Sequence, residues 1–240
     1  MASWIVHLRI TENLLARIPN LDESLFAIGN IAPDSGIPDE KWENFTPPAE
    51  VTHFTPPEDA HFRSGDLLFY RDHLLPLHGS TPDARRFSFL LGYFFHLVTD
   101  NCWMEDIGHP TKRRYAEQFA ADKDFIWEVK KDWYGLDHRF VREHPESLFW
   151  RVFLRCEYNR TDLPFLPVEA VQQRIAYIQE YYQSDTERVR EMLDRPYIYL
   201  SEAEMNAFVA RTADRLFQIY NRLWVEGEAV DGRVSALELW

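Results

Sequence analysis

The stretch Phe89-Leu-Leu-Gly-Tyr-Phe-Phe-His-Leu-Val-Thr-Asp100 is apolar nearly all round. A helix of that composition has no solvent face, so it belongs inside the protein. One stripe departs from the pattern. Ser88, Gly92, His96 and Asp100 recur every four residues and share one helix face. Unpaired polar groups are costly to bury, so the stripe needs partners. Either His96 and Asp100 hydrogen-bond to each other in the core, or they ligate an ion. Gly92 sits one turn before His96 and is expected to leave a gap there for ions or substrate. A glycine inside a helix otherwise costs about 0.5–1 kcal/mol relative to alanine.

Outward from this segment the chain reads as helical. Thr81-Pro82-Asp83 supplies a cap, a proline at the first position and an acid in the first turn of the central helix, which should reach about Met104. Upstream, Ser3 is expected to cap a helix from Trp4 to about Ile18, stopped by Pro19. A short helix from Asp22 to Ile28 should end on Gly29-Asn30 in a left-handed stop. A long Pro-rich loop follows, with one helical stretch near 65–75. Downstream, helices are expected from Asp122 or Asp124 to Glu143, from Pro145 to about Cys156, and over 168–183, 186–193 and 202–225. Ser201 and Glu204 form a capping box for the last of these. The one strand candidate is Tyr197-Ile-Tyr-Leu200. The expected fold is all-α, a single-domain multi-helix bundle over residues 1–240. Its chemistry falls in about 1–140, with a helical half at about 141–240.

Composition bounds the function. The 240 residues include 26 Lys+Arg and 39 Asp+Glu, a formal net charge of −13, and 45% are hydrophobic. A chain this rich in apolar residues is not disordered. By surface scaling, roughly 70–75% of the unfolded surface is buried at this size, so the core needs no disulfide staples. Residues 1–120 hold 10 basic and 17 acidic side chains, and 121–240 hold 16 and 22, so the acidity is spread evenly. That disfavours a long nucleic acid, whose binding depends on basic side chains at phosphates. It does not disfavour phosphate chemistry, because a bound metal can supply the positive charge. Cys102 and Cys156 form no paired motif, the start is no secretion signal, and the longest apolar stretch, Phe87 to Val98, is shorter than the about 20 residues of a membrane span. A soluble cytoplasmic protein without a transmembrane segment is expected. The sequons at Asn44 and Asn159 are then chance matches.

Histidine and proline are uneven. Seven of nine His and ten of fourteen Pro lie in the first half. His7 lies on an amphipathic helix and alone reads as a core histidine. Asp34, in Gly29-Asn-Ile-Ala-Pro-Asp34, alone reads as a turn residue. His53 alone reads as a surface loop residue. With His96 and Asp100 they make three His and two Asp, a nitrogen-and-oxygen set suited to one or two divalent metals of the zinc type. No Gly-rich phosphate loop and no GxSxG occur.

These residues resemble the zinc-dependent phospholipase C family, related to the S1/P1-type nucleases. The likeness is closest to its short intracellular bacterial branch. It is carried by Ser3-Trp-Ile-Val-His7-Leu-Arg, Gly29-Asn-Ile-Ala-Pro-Asp34 and Leu91-Gly-Tyr-Phe-Phe-His96-Leu-Val-Thr-Asp100, and extends through Asp132-Trp-Tyr-Gly-Leu-Asp137. The resemblance implies an all-helical phospholipase C/P1 nuclease-like fold and hydrolysis of phosphoesters by a metal-activated water. It implies His7, Asp34, His53, His96 and Asp100 as metal ligands. Asp34 is the catalytic candidate, as a bridge between metals or a base that orients water. Two zinc ions are expected, three are allowed, and another divalent metal is compatible.

Two departures stand out. Secreted members use the amino group of a mature N-terminal Trp, whereas Trp4 is internal here and removal of Met1 would expose Ala2. The family's HxxxE pair is also missing. A third-metal set is either missing or rebuilt from His109, Asp132, Asp137 or His138, and the plainer reading of Asp137 and His138 is a solvated polar turn. Trp103, Tyr93 and Phe54 are candidate walls of a substrate pocket. The expected partner is a small phosphoester or lipid headgroup. A nuclease-like phosphodiesterase, or a helical binding protein with a silent metal site, are the alternatives.

Overall fold

The structure is a computed structural model, and it describes residues 1–41, 43–55, 64–78 and 83–240. The protein is all-α. In chain order the helices are α1 (Trp4–Leu15), α2 (Glu23–Gly29), α3 (Ala49–Thr52), α4 (Asp66–Phe69), α5 (Ala84–Trp103) and α6 (His109–Arg114). Then come α7 (Ala116–Ala121), α8 (Phe125–Glu143), α9 (Leu148–Arg151), α10 (Val168–Gln183), α11 (Glu187–Asp194) and α12 (Glu202–Tyr220). Among the described residues the one strand pair is β1 (Ile37–Pro38) with β2 (Phe45–Thr46), antiparallel, with Ile37 opposite Thr46. The expected strand at Tyr197–Leu200 does not form. That segment is instead pinned by Asp132, whose Oδ2 accepts the backbone N–H groups of Ile198 and Tyr199 at 2.7 and 2.6 Å.

Helix α5 is the axis of the molecule, and every residue from Ser88 to Trp103 is buried. It packs against α1, α2, α4 and α12. Each fully buried Phe, such as Phe89 and Phe95, contributes about 1.5–3 kcal/mol of transfer free energy. One contiguous apolar cluster runs from Ala2 to Leu239. Asp66 ties the chain's end into it, accepting from Ser235 Oγ at 2.7 Å and Asn101 Nδ2 at 3.0 Å.

The polar stripe of α5 faces α2 and the loop after it. Ser88 Oγ accepts the N–H of Asp22, the N-cap of α2, at 2.9 Å. Gly92 does not leave an open gap. A Cβ on Gly92 would lie 2.4 Å from the Phe26 carbonyl oxygen, and one on Gly29 would lie 2.2 Å from that of Phe89. Two glycines therefore let the backbones of α2 and α5 touch, and the space is filled by backbone.

Several boundaries differ from expectation for identifiable reasons. Thr81 and Pro82 lie outside the described residues, and the cap of α5 is Asp83, whose side chain accepts from Arg85 N. Helix α1 stops at Leu15, and Ser3 makes no capping bond because its Oγ donates to Asp137 at 2.9 Å. Asn30 is right-handed (φ −67°), so α2 has no left-handed stop; among the described residues the non-glycine residues with positive φ are Asn20 and Phe54. Past Trp103 the chain continues through a wide π-type turn, Met104–Gly108, into α6, whose first turn accommodates Pro110. Among the described residues no helix is long and apolar enough to cross a membrane.

Candidate metal centre

Five side chains meet at the buried end of α5. His96 and Asp100 come from α5 itself, one turn apart, with His96 Nε2 3.4 Å from Asp100 Oδ2. His7 comes from α1, and its ring stacks on His96 at 4.1 Å and 6°. Asp34 ends the short 3-10 turn Ala32–Asp34, and His53 caps α3. His53 Nε2 lies 3.5 Å from Asp34 Oδ1 and 3.5 Å from Asp100 Oδ2.

The hydrogen bonds around the cluster orient it. His96 Nδ1 lies 2.8 Å from the Asn30 carbonyl oxygen. A carbonyl only accepts, so Nδ1 carries the proton and the Nε2 of the neutral ring is a lone pair. The tight α2–α5 crossing at Gly92 brings Asn30 to this point. His53 Nδ1 similarly donates to the Ala49 carbonyl oxygen at 3.1 Å. One oxygen of each carboxylate is also anchored: Asp34 Oδ2 accepts Trp4 Nε1 at 2.8 Å, and Asp100 Oδ1 accepts the Ala2 N–H at 2.8 Å. Trp4 thus reaches the centre through its ring.

What remains is a set of acceptors facing one another. His53 Nε2 and His96 Nε2 are 3.3 Å apart, and both face Asp34 Oδ1 and Asp100 Oδ2. Asp100 Oδ2 and both ring nitrogens of His7 are buried without a hydrogen-bond partner among the described residues. Such groups are costly unless a cation or proton joins them. Without a metal, a proton serves: burial opposes charging His53, but Asp100 and Asp34 outweigh it and push its pKa up to about 9. Burial, with His96 next, pushes His7 down to about 4. Burial would raise both carboxylates, yet the histidines outweigh it, so Asp34 and Asp100 lie below the ordinary carboxylate range.

The donors fit a zinc-type ion: neutral imidazole nitrogens and carboxylate oxygens, held by outer hydrogen bonds, without thiolate. They fall into two groups, His7–His96–Asp100 and Asp34–His53–His96, with donor atoms in each group within 4.8 Å of one another. His96 is common to both but has only Nε2 free, so it can serve one ion.

The other candidates do not join this set. Asp132 binds the 198–199 backbone and lies 3.5 Å from Arg195 Nε. Asp137 accepts from Ser3 Oγ and, at 2.6 Å, from Tyr182 OH; burial raises its pKa to about 7. His138 is buried against the Tyr181 and Tyr182 rings, not in a solvated turn, and His109 opens α6. Among the described residues none of these four belongs to a group of three donors.

A cavity of about 200 Å³ opens on Asp34 and His53. Its aromatic walls are Trp4, Phe45, Trp133 and Tyr134, and it carries two cations, Lys130 and Arg174. Trp103, Tyr93 and Phe54 do not line it. Trp103 packs on Trp133 and Phe208, Tyr93 donates to the Thr52 carbonyl oxygen, and Phe54 packs on Phe69 and Phe165. Sequence reasoning missed Lys130 and Arg174, since a single basic residue on an amphipathic helix carries no local signal.

Fold and centre together define an all-helical protein with a buried histidine–carboxylate cluster beside a small cavity. The chain belongs to the zinc-dependent phospholipase C family, whose model matches residues 6–148, a span that contains all five donors. At family level this supports a metal-dependent phosphoester hydrolase. No curated protein and no solved structure matches the chain.

Proposed function

We propose that the protein hydrolyses a small phosphoester, such as a lipid headgroup or a soluble phosphodiester, with zinc held by His7, Asp34, His53, His96 and Asp100. The observation that carries this reading is the convergence of His53 Nε2, His96 Nε2, Asp34 Oδ1 and Asp100 Oδ2 at 3.3–3.9 Å beside the cavity. Of the two ions expected, one takes His96 and the other is held by the two remaining donors of its group. Zinc bound there supplies Lewis acidity and lowers the pKa of water from 15.7 towards about 7.

The chain's own part is to position and to hold protons. Asp34 lines the cavity and stays ionised at neutral pH with Oδ2 fixed by Trp4, so its Oδ1 serves either as a metal donor or as the hydrogen-bond acceptor that orients attacking water. The Asn30 and Ala49 carbonyls keep the lone pairs of His96 and His53 turned to the cluster. The aromatic walls exclude water around the phosphoryl group. A cavity this small, in a chain of net charge −13, favours a small substrate over a long nucleic acid.

The continuous core supports reading the chain as one domain. Two buried free thiols agree with a reducing, cytoplasmic setting. The test is turnover on a panel of p-nitrophenyl phosphomonoesters and phosphodiesters and short-chain phospholipids. Activity on at least one, abolished by chelation and restored by zinc, is expected. No zinc-dependent turnover on any of them contradicts the proposal.

A further inference from the structure

The cavity beside the histidine–carboxylate cluster contains a feature that metal binding does not explain. Lys130 on α8 and Arg174 on α10 both line it. Among the described residues neither has a carboxylate within ion-pair distance, although acids outnumber bases in the chain 39 to 26. Arg174 Nε is buried and has no hydrogen-bond acceptor among the described residues. A buried guanidinium N–H left unpaired is costly, so the site is one acceptor short.

Arg174 is held in place by aromatic rings. Its guanidinium lies 5.3 Å from the Trp4 ring centroid and 5.7 Å from that of Tyr177. Lys130 Nζ lies 4.8 Å from the Trp127 centroid. Stacking of this kind pre-orients a cation for a ligand. It also occupies the Trp4 face, which could otherwise receive a quaternary ammonium group. The cluster's five donors come from α1, α3, α5 and the Asp34 turn, so the two cations form a separate wall of the cavity.

Building on the phosphoester reading above, we infer that Lys130 and Arg174 form an anion subsite that selects phosphoesters bearing a second negative group over those bearing a quaternary ammonium. The cluster and its ions take the phosphoryl group. The two cations take a carboxylate or second phosphate on the alcohol part. Arg174 supplies directed N–H donors, and Lys130 supplies a point charge. A cationic headgroup in the same cavity would face two like charges in a partly desolvated space.

The test is calorimetric titration of the zinc-loaded protein with phosphoglycolate and with phosphocholine, with zinc content measured on the same samples. The two probes share a phosphoryl group and differ in the sign of the second charge. Phosphoglycolate is expected to bind at least about 10-fold more tightly. Arg174→Gln and Lys130→Met should each cut that preference by about 10-fold, and Arg174→Lys should restore part of it. Equal affinities, a preference for phosphocholine, or variants that weaken both ligands alike would overturn the inference. Binding of neither probe would also overturn it. Zinc retained in that case leaves the metal reading standing, whereas zinc absent removes both.

Discussion

Gly92→Ala tests how the fold positions the centre. The added Cβ would lie 2.4 Å from the Phe26 carbonyl oxygen, 3.0 Å from Asn30 N and 3.1 Å from Gly29 Cα. All three are backbone atoms, so no side chain can swing aside. Ordinary contact begins at 3.4 Å, so α2 must retreat from α5 by up to 1.0 Å at the closest atom. The Asn30 carbonyl moves with it, and its 2.8 Å bond to His96 Nδ1 stretches beyond hydrogen-bonding range. Overpacking costs about 1–3 kcal/mol and a lost buried hydrogen bond about 1–3 kcal/mol more. At about 2–4 °C per kcal/mol for a chain of this size, the Tm of the metal-free protein should fall by roughly 5–20 °C. Freed from Asn30, the His96 ring loses its fixed tautomer, and zinc affinity should drop about 10- to 100-fold. Circular dichroism melts and competition with a chromophoric zinc chelator measure the two effects. A Tm within 2 °C of wild type together with unchanged zinc affinity would show that the glycine crossing does not set the His96 ligand.

Other outcomes follow from the same geometry. Zinc at 100 times its Kd should stabilise the wild type by about 2.7 kcal/mol, and His96→Ala should abolish most of that shift in thermal melts with and without chelator. Asp137, raised by burial to about 7, holds in the folded state a proton that the unfolded chain releases near 3.8. Its contribution to stability is therefore greatest below about pH 4 and is lost as pH rises to about 7. The Tm difference between wild type and Asp137→Asn should shift in favour of the variant between pH 5 and 8, and a flat difference would count against the assignment. Burial pushes the Cys102 thiol up to about 12 and Cys156 up to about 11, so neither should react with a thiol reagent until the protein is unfolded. Rapid labelling of the native protein would contradict their burial.

Much of this architecture was legible in the residues because the signals were local and periodic. The four-residue stripe of α5 marked the buried helix and two residues of the candidate centre. The end of α8 at Glu143, the span of α10 and the Ser201–Glu204 box match the structure because caps and stops lie within a few residues of the elements they bound. The failures share a cause: the deciding partner was far along the chain. Gly92 reads alone as a gap, and only the position of α2 shows that backbone fills it. Ser3 reads as a cap, but Asp137, more than a hundred residues away, takes its hydroxyl. Lys130 and Arg174 share no spacing, and tertiary packing alone brings them to one cavity. Asp34 and His53 were weak candidates singly, and their weight came from the resemblance of the whole set.

A buried His/Asp cluster that holds zinc should carry the metal through purification. The most direct measurement is zinc content per chain, by mass spectrometry of metals, for protein purified without chelator and for His53→Ala and Asp100→Asn. Wild-type protein is expected to hold zinc, close to two ions per chain, with a clear loss in both variants that returns in neither at equimolar zinc. Wild-type protein that binds no zinc after reloading, or variants that retain the full content, would contradict it.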